Sequence, residues 1–306
     1  MKKPDFNLRP GTCLRGKWNG NAYTIIKVLG SGACGTVFLC HSEQGDKYAL
    51  KLGTDSSRLM LEVNMLKKFG KVQGVKLGPS FVDVDDWSGK QPKAFPFYVM
   101  EYIEGQSLSS FLQGKTKDWI GICAIQLLSQ LEHLHKAGYV FGDLKTDNLL
   151  MSESHVRWID VGGVTMIGRA IKEYTEFYDR GYWGMGTRKA EPSYDLFSVT
   201  MIMLEMAYPK RFDKAGNPNK TLESKLVSSS LLRPYQRFIM NCWNGKYRDA
   251  ADMKKALSEI LMKRKKPVSL SRVQRKREHE VESKELLVLS LGTTLLLGVS
   301  IISFWI

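Results

Sequence analysis

Cysteine is sparse in this 306-residue chain. Cys13, Cys34, Cys40, Cys123 and Cys242 are scattered, odd in number, and include no C-x-x-C pair. That argues against a disulfide framework or a cysteine zinc site, and it fits a reducing compartment. Acidic residues are also short: 31 Asp and Glu face 45 Lys and Arg, a formal net charge of +14. Such a balance biases the partners toward nucleic acid, anionic lipid or acidic proteins. No apolar run follows Lys2 and Lys3, so no signal peptide is expected, and no internal repeat is present. What remains is a globular composition, 43% hydrophobic and 25% charged, long enough for one large domain or two small ones.

The first half reads as strands. TIIKVLG (24–30) and GTVFLC (35–40) flank a glycine-rich turn and suggest a hairpin, KYALKL (47–52) a third strand, and FYVMEYIEG (97–105) a further one. Between them Leu59, Met60, Val63 and Leu66 fit a helix that carries Glu62. Beyond 105 the pattern turns helical. Ile120, Ala124, Leu127, Leu131 and Leu134 repeat at three and four, with Gly138 where such a helix would stop. The stretches 195–206 and 234–261 are helical in pattern too. A β-rich lobe before an α-rich lobe predicts an active-site cleft between them.

Several polar positions interrupt this apolar frame. Gly30, Gly32 and Gly35 in GSGACGTV leave backbone N–H groups free to approach phosphates, and the loop joins two strands, so the dinucleotide-turn reading fails. Lys51 shares a strand face with Ala49, where an inward ammonium needs an anion. Glu62, eleven residues on, is the expected carboxylate partner. In FGDLKTDNLLM, Asp143 is placed to accept a proton from an attacking hydroxyl, Lys145 to neutralise a transferring phosphoryl group, and Asn148 to offer an amide oxygen to a metal. Asp160 ends the apolar strand of VRWIDVGG, where a carboxylate suits Mg²⁺.

In this order, GSGACGTV, YALK, Glu62, GDLKTDN and IDVGG resemble the motif set of the Hanks-type (eukaryotic-like) bacterial serine/threonine protein kinases. With the apolar C-terminus, the chain is similar to the small tail-anchored YabT-type kinases of spore-forming bacteria. The resemblance implies an α+β, bilobal protein-kinase fold over about 23–262 after an extension 1–22, with lobes 23–104 and 105–262. It also implies ATP and Mg²⁺ as cofactors and protein substrates. ATP would be lined by Leu29, Gly30, Ser31, Gly32, Ala33, Cys34, Gly35, Thr36, Val37, Ala49 and Lys51, with Glu62 behind and Glu101–Tyr102 as hinge. Asp143, Lys145, Asn148 and Asp160 would be catalytic, the last two holding metal. Asp195 matches the residue that braces the catalytic loop, and Arg248 matches a structural arginine. Thr165 and Thr175 fall in the expected activation segment and are candidate autophosphorylation positions.

Departures from the pattern concern regulation. Gly142 stands where many such kinases carry the arginine that pairs with a phosphorylated activation loop, so loop phosphorylation is not expected to be a strict switch. YTEFYDRGYW (174–183) replaces the usual Ala-Pro-Glu region, and Glu191 lies too close to Asp195 to substitute, which leaves Arg248 without its expected carboxylate. Cys34 at the loop tip reads as a small filler rather than an oxidant sensor. Small-molecule kinases of the same fold often have Gly before the catalytic Asp but generally lack a lysine at 145. A non-catalytic tether would leave the full catalytic set unexplained.

The C-terminus reads differently. Residues 286–306, LLVLSLGTTLLLGVSIISFWI, contain no charge. As a helix they would span about 31 Å, close to a hydrocarbon core of ~30 Å, so a transmembrane helix is expected. The basic flank lies on the N-terminal side, which places the preceding residues in the cytoplasm. Linker 263–285 holds nine Lys and Arg against four Glu. Its cations cluster at Lys263, Arg264, Lys265, Lys266, Arg272, Arg275, Lys276 and Arg277, whereas 278–285 is net negative. A helical spacer of that length sets the cations about 12 Å from the bilayer, beyond a Debye length of ~8 Å, which weakens a lipid role. The linker contains no aromatic for stacking on single strands, so salt-sensitive binding of duplex DNA is the specific expectation, and a solvated linker the plain one. Ser290, Thr294 and Gly298 recur every four residues, a face on which two such helices could pair as a homodimer.

Overall fold

The computed structural model describes residues 6, 8–32, 34–70, 76–89, 93–112 and 115–265. Ala33, the basic positions Lys266, Arg272, Arg275, Lys276 and Arg277, the side chains of Arg264 and Lys265, and the expected span 286–306 lie outside the described residues. Among the described residues, no helix is long and apolar enough to cross a membrane.

Strands β1 (Cys13–Arg15), β2 (Ala22–Gly32), β3 (Gly35–Ser42), β4 (Lys47–Leu52), β5 (Phe81–Ser88) and β6 (Ala94–Glu101) make one antiparallel sheet, ordered β1-β2-β3-β4-β6-β5. The expected hairpin closes with Gly32 opposite Gly35, and register shifts at Ile25/Lys27 and Val28/Gly30 bend its outer strand. Alternation sends Leu50 and Leu52 of β4 into a core with Leu14, Ile25, Phe38, Phe97 and Val99, and turns Ala49 and Lys51 to the opposite face. Helix α1 (Ser56–Phe69) is started by Asp55, whose carboxylate accepts from the N–H groups of Ser57 and Arg58. It buries Leu59, Glu62, Val63, Leu66 and Phe69 along one stripe.

The strand expected over 97–105 ends at Glu101. β5 escaped the sequence reading because FVDVDDWS is rich in acid. The structure shows Asp83 and Asp85 largely buried, accepting hydrogen bonds from Trp18 N, Asn19, Asn21 and Tyr23.

The second lobe opens with β7 (Gln106–Ser107) and α2 (Leu108–Leu112), then α3 (Asp118–Lys136). Four short strands follow: β8 (Tyr139–Val140), β9 (Leu149–Ser152), β10 (His155–Trp158) and β11 (Thr165–Met166). β9 pairs with β7 and β10, and β8 pairs with β11. This pairing lays the chemical loop 141–148 beside the segment 159–164. Helix α4 (Pro192–Ala207) is buried without a break from Tyr194 to Glu205 and packs against α3, so it is the central helix of this lobe. α5 (Pro218–Ser228), α6 (Gln236–Trp243) and α7 (Ala250–Lys265) complete it. The helical stretch expected over 234–261 is thus two helices, separated by residues 244–249. The lobes form one compact unit ending at Ile260.

Candidate active site in the interlobe cleft

Lys51 Nζ lies 2.6 Å from Glu62 Oε2 and 3.9 Å from Asp160 Oδ2, with the Lys51 and Glu62 side chains only 7% and 5% exposed. Burial pulls the Lys51 ammonium down, but Asp160 and Glu62 outweigh it and its pKa is raised. Tyr98, opposite Lys51 in the sheet register, donates its hydroxyl to the same Glu62 oxygen at 2.8 Å. The pairing inferred across eleven residues is therefore present, with a third member that alternation in FPFYVM did not single out.

The glycine loop divides by role. A Cβ on Gly35 would lie 2.3 Å from the Leu52 carbonyl, at φ +149°, so backbone packing requires glycine there. At Gly30 and Gly32 a Cβ would meet nothing within 4 Å. Their missing side chains leave open space where a phosphate could approach backbone N–H groups. Ser31 Oγ and Thr36 Oγ1 are 3.3 Å apart across the hairpin. Leu29 is exposed, Val37 half-buried and Ala49 buried. Cys34 Sγ donates to Glu173 Oε1 at 3.5 Å, and burial together with that carboxylate raises its pKa. A protonated thiol fits the filler reading.

Glu101 spends its carboxylate away from the cleft, on Ser80 N (2.9 Å), Lys76 Nζ (2.8 Å) and Arg157 (3.3 Å). What Glu101 and half-buried Tyr102 can offer a base is backbone.

In the loop 141–148, Asp143 is bonded at both oxygens. Oδ2 lies 2.5 Å from Lys145 Nζ, and Oδ1 accepts from Thr175 Oγ1 at 2.9 Å. Lys145 also donates to Thr175 Oγ1 at 3.2 Å. Asn148 Nδ2 donates to the Asp143 carbonyl at 2.9 Å, which leaves Oδ1 as the atom able to ligate. Asp195, fully buried, accepts from Phe141 N (2.7 Å), Gly142 N (3.0 Å) and His135 Nε2 (2.9 Å), and so braces the loop as the resemblance implied. Gly142 has φ +80°, and a Cβ there would lie 2.7 Å from the Gly163 carbonyl. The site therefore has no room for the arginine it was expected to lack.

The structure gives three further sequence expectations a definite setting. Both phosphosite candidates have engaged hydroxyls: Thr165 is fully buried, donating to Gly163 O at 2.9 Å, and the Thr175 hydroxyl is held between Asp143 and Lys145. Arg248 holds no buried carboxylate, as expected, and it is not placed as the structural arginine it was matched to. Its side chain is 85% exposed and meets only Asp252 at 3.5 Å. Glu191 does not serve Arg248, as expected, and instead holds the buried Arg180 at 2.5 Å, which also donates to Thr187 O and Ser193 Oγ. Beside it Asp179, fully buried, takes Arg188, the Tyr194 hydroxyl and the N–H groups of Gly181 and Tyr182. The segment 174–191 is thus held by its own charges.

The protein kinase domain family matches residues 23–273 of this sequence. The chain belongs to the Hanks-type serine/threonine protein kinases. Among relatives, serine/threonine-protein kinase YabT of Bacillus subtilis is 48% identical over 271 residues, covering 87% of this chain and 80% of the relative. The probable serine/threonine-protein kinase YbdM of the same organism is 25% identical over 207 residues, 63% and 73% of the two chains. The catalytic subunit 3 of the cAMP-dependent protein kinase of Drosophila melanogaster is 31% identical over 156 residues, 48% of this kinase and 26% of that protein. The enzyme is a YabT-type bacterial kinase with a sheet-rich first lobe and a helical second lobe, and kinases of this family use ATP and Mg²⁺.

Proposed function

We propose that this kinase binds ATP and Mg²⁺ in the cleft and transfers the γ-phosphate to Ser or Thr of protein substrates, its own chain included. The observation that carries the reading is the buried Lys51–Glu62 pair set against Asp160, with Asp143 and Lys145 across the cleft. The donor set fits a hard cation: the Asp160 carboxylate, 44% exposed, and the free amide oxygen of Asn148 offer two oxygens and no sulfur or imidazole. Few protein ligands suit Mg²⁺, which takes the rest of its shell from phosphate and water. When bound, the ion neutralises charge on the phosphates.

The chain's own groups divide the remaining work. Glu62 fixes Lys51 in one position, where its ammonium faces the phosphates. Asp143 accepts the proton of the incoming hydroxyl and orients it, and Lys145 offsets charge on the transferring group. Thr175 holds both in place through one oxygen.

The same proposal extends to the C-terminus. Residues 286–306 anchor the kinase with its lobes on the cytoplasmic side, where confinement in a plane favours phosphorylation in trans, and the cluster Lys263–Arg277 binds duplex DNA. Charge patterning supports both points. Transfer from labelled ATP by the full chain, with Asp143→Asn as control and with duplex DNA added or omitted, tests the reading. Transfer to Ser/Thr that disappears in the variant supports it, and transfer that persists overturns the assigned base. DNA binding that does not weaken with added salt would sink the phosphate-contact account.

A further inference from the structure

Next to Asp143 the loop carries a second acid that catalysis does not use. Asp147 lies in the turn Thr146–Asn148, and its Oδ2 is 2.7 Å from Arg211 Nη2. The same guanidinium places Nε 2.8 Å from Glu205 Oε1, at the end of α4, and its carbon 5.1 Å from the centre of the Tyr178 ring. The other Glu205 oxygen accepts from Thr146 Oγ1 at 2.7 Å and from the Tyr178 hydroxyl. Two carboxylates and an aromatic face therefore surround one arginine.

This cluster adjoins Asp143, the base assigned above. Thr175 touches Asp143, and Tyr178, three residues later, touches Thr146, so the segment 175–178 runs alongside 143–147. On the kinase reading, a chain presenting a hydroxyl to Asp143 would approach this pairing. Emptied of Arg211, the notch would be a receptor for a guanidinium, with two acids to bond its edge and a ring to cover its face. Arg211 fills it from within. Lys210 and Lys214, both exposed, neighbour Arg211 in sequence, with exposed Asp213 between them.

We infer that Arg211 is an internal occupant that removes a basic-residue subsite from the substrate groove, so that this kinase takes Ser/Thr segments with neutral or acidic flanks. The inference rests on the protein-kinase reading of the cleft and on the role given to Asp143. Arg211 is a specificity-determining residue here and touches no reacting atom.

The test is a positional scan. The full-length kinase phosphorylates peptides with a central Ser or Thr in which each flanking position is in turn Ala, Glu or Arg, with Asp143→Asn as the blank. In the wild type, Arg at every position gives no more transfer than Ala. In Arg211→Ala, Arg gains on the order of tenfold over Ala at one or two positions, chiefly through KM, and the gain is absent in Arg211→Ala/Asp147→Asn. A wild type that already prefers Arg overturns the inference, whether or not the variants fold. So does an Arg211→Ala or Arg211→Gln variant that phosphorylates the Ala reference peptide but acquires no preference for Arg. Transfer that survives Asp143→Asn would instead overturn the catalytic reading itself.

Discussion

Lys51 and Glu62 meet at 2.6 Å where neither side chain is more than 7% exposed. A buried pair of this kind adds little stability over an apolar pair of equal volume, but removing one partner strands the other, at about 3–5 kcal/mol. Asp160 at 3.9 Å gives Lys51 a second anion, whereas Glu62 has no other cation within ion-pair distance among the described residues. Lys51→Met is therefore expected to lower the melting temperature more than Glu62→Gln does. The double variant should recover most of the Lys51→Met loss while remaining inactive. Thermal unfolding of the three proteins beside ATP turnover checks this, and equal destabilisation by both single variants would contradict it.

Thr175 bridges Asp143 and Lys145 through one hydroxyl. Hydrogen bonds to charged groups contribute about 1.5–3 kcal/mol, so Thr175→Val, which keeps the shape and loses the oxygen, should lower kcat by about ten- to a hundredfold. Thr175→Ser should retain most activity. Thr175→Glu sets a carboxylate against Asp143 and should inactivate. Activation by Thr175→Glu would support a phosphosite role for this residue.

Much of this site could be read from residue order. Lys51 and Glu62 are polar side chains set into an apolar strand and helix stripe, and Asp143, Asn148 and Asp160 sit in polar loops of fixed spacing beside apolar strands, so such positions stand out in one dimension. Lobe order was legible for the same reason: period two before residue 105, period near 3.6 after it. What escaped depends on geometry across the fold. Tyr98 reaches Glu62 only because β6 lies beside β4. Arg180 finds Glu191 because the segment between them folds back, and Arg211 finds Asp147 across 64 residues of sequence. Nothing local distinguishes those arginines from solvated ones, just as nothing local marked Arg248 as exposed.

Glu132 ties α3 to α7, accepting from Lys136 Nζ at 2.7 Å and Lys254 Nζ at 2.5 Å. Those two ammonium groups hold its carboxyl down at about 2, against an ordinary value of 4.5. A carboxyl depressed in the folded state contributes stability above its unfolded pKa and loses it as pH falls through the folded value. The wild type should therefore melt above Glu132→Gln by a constant margin from pH 7 to about 5, and the margin should shrink as pH falls toward 2. A margin unchanged across that window would show that packing, not charge, accounts for the difference.

Arg180 and Arg248 invite opposite expectations from their surroundings. Arg180 is 7% exposed and donates to Glu191, Ser193 and Thr187 O, and its guanidinium lies 5.6 Å from the centre of the Tyr194 ring. Truncating it leaves the Thr187 carbonyl and the Glu191 carboxylate without their donor and opens space beside α4, the helix that carries Asp195. Buried networks broken in this way belong to the class of large losses, about 3 kcal/mol or more. Arg180→Ala should accordingly lower both melting temperature and kcat, because Asp195 positions the loop that bears Asp143. Arg248 is 85% exposed with one surface partner, and Arg248→Ala should change stability by no more than about 0.5 kcal/mol. Chemical denaturation of both variants decides the matter. A loss at Arg248 comparable to that at Arg180 would mean that the exposed arginine contributes in a way its single surface contact does not express.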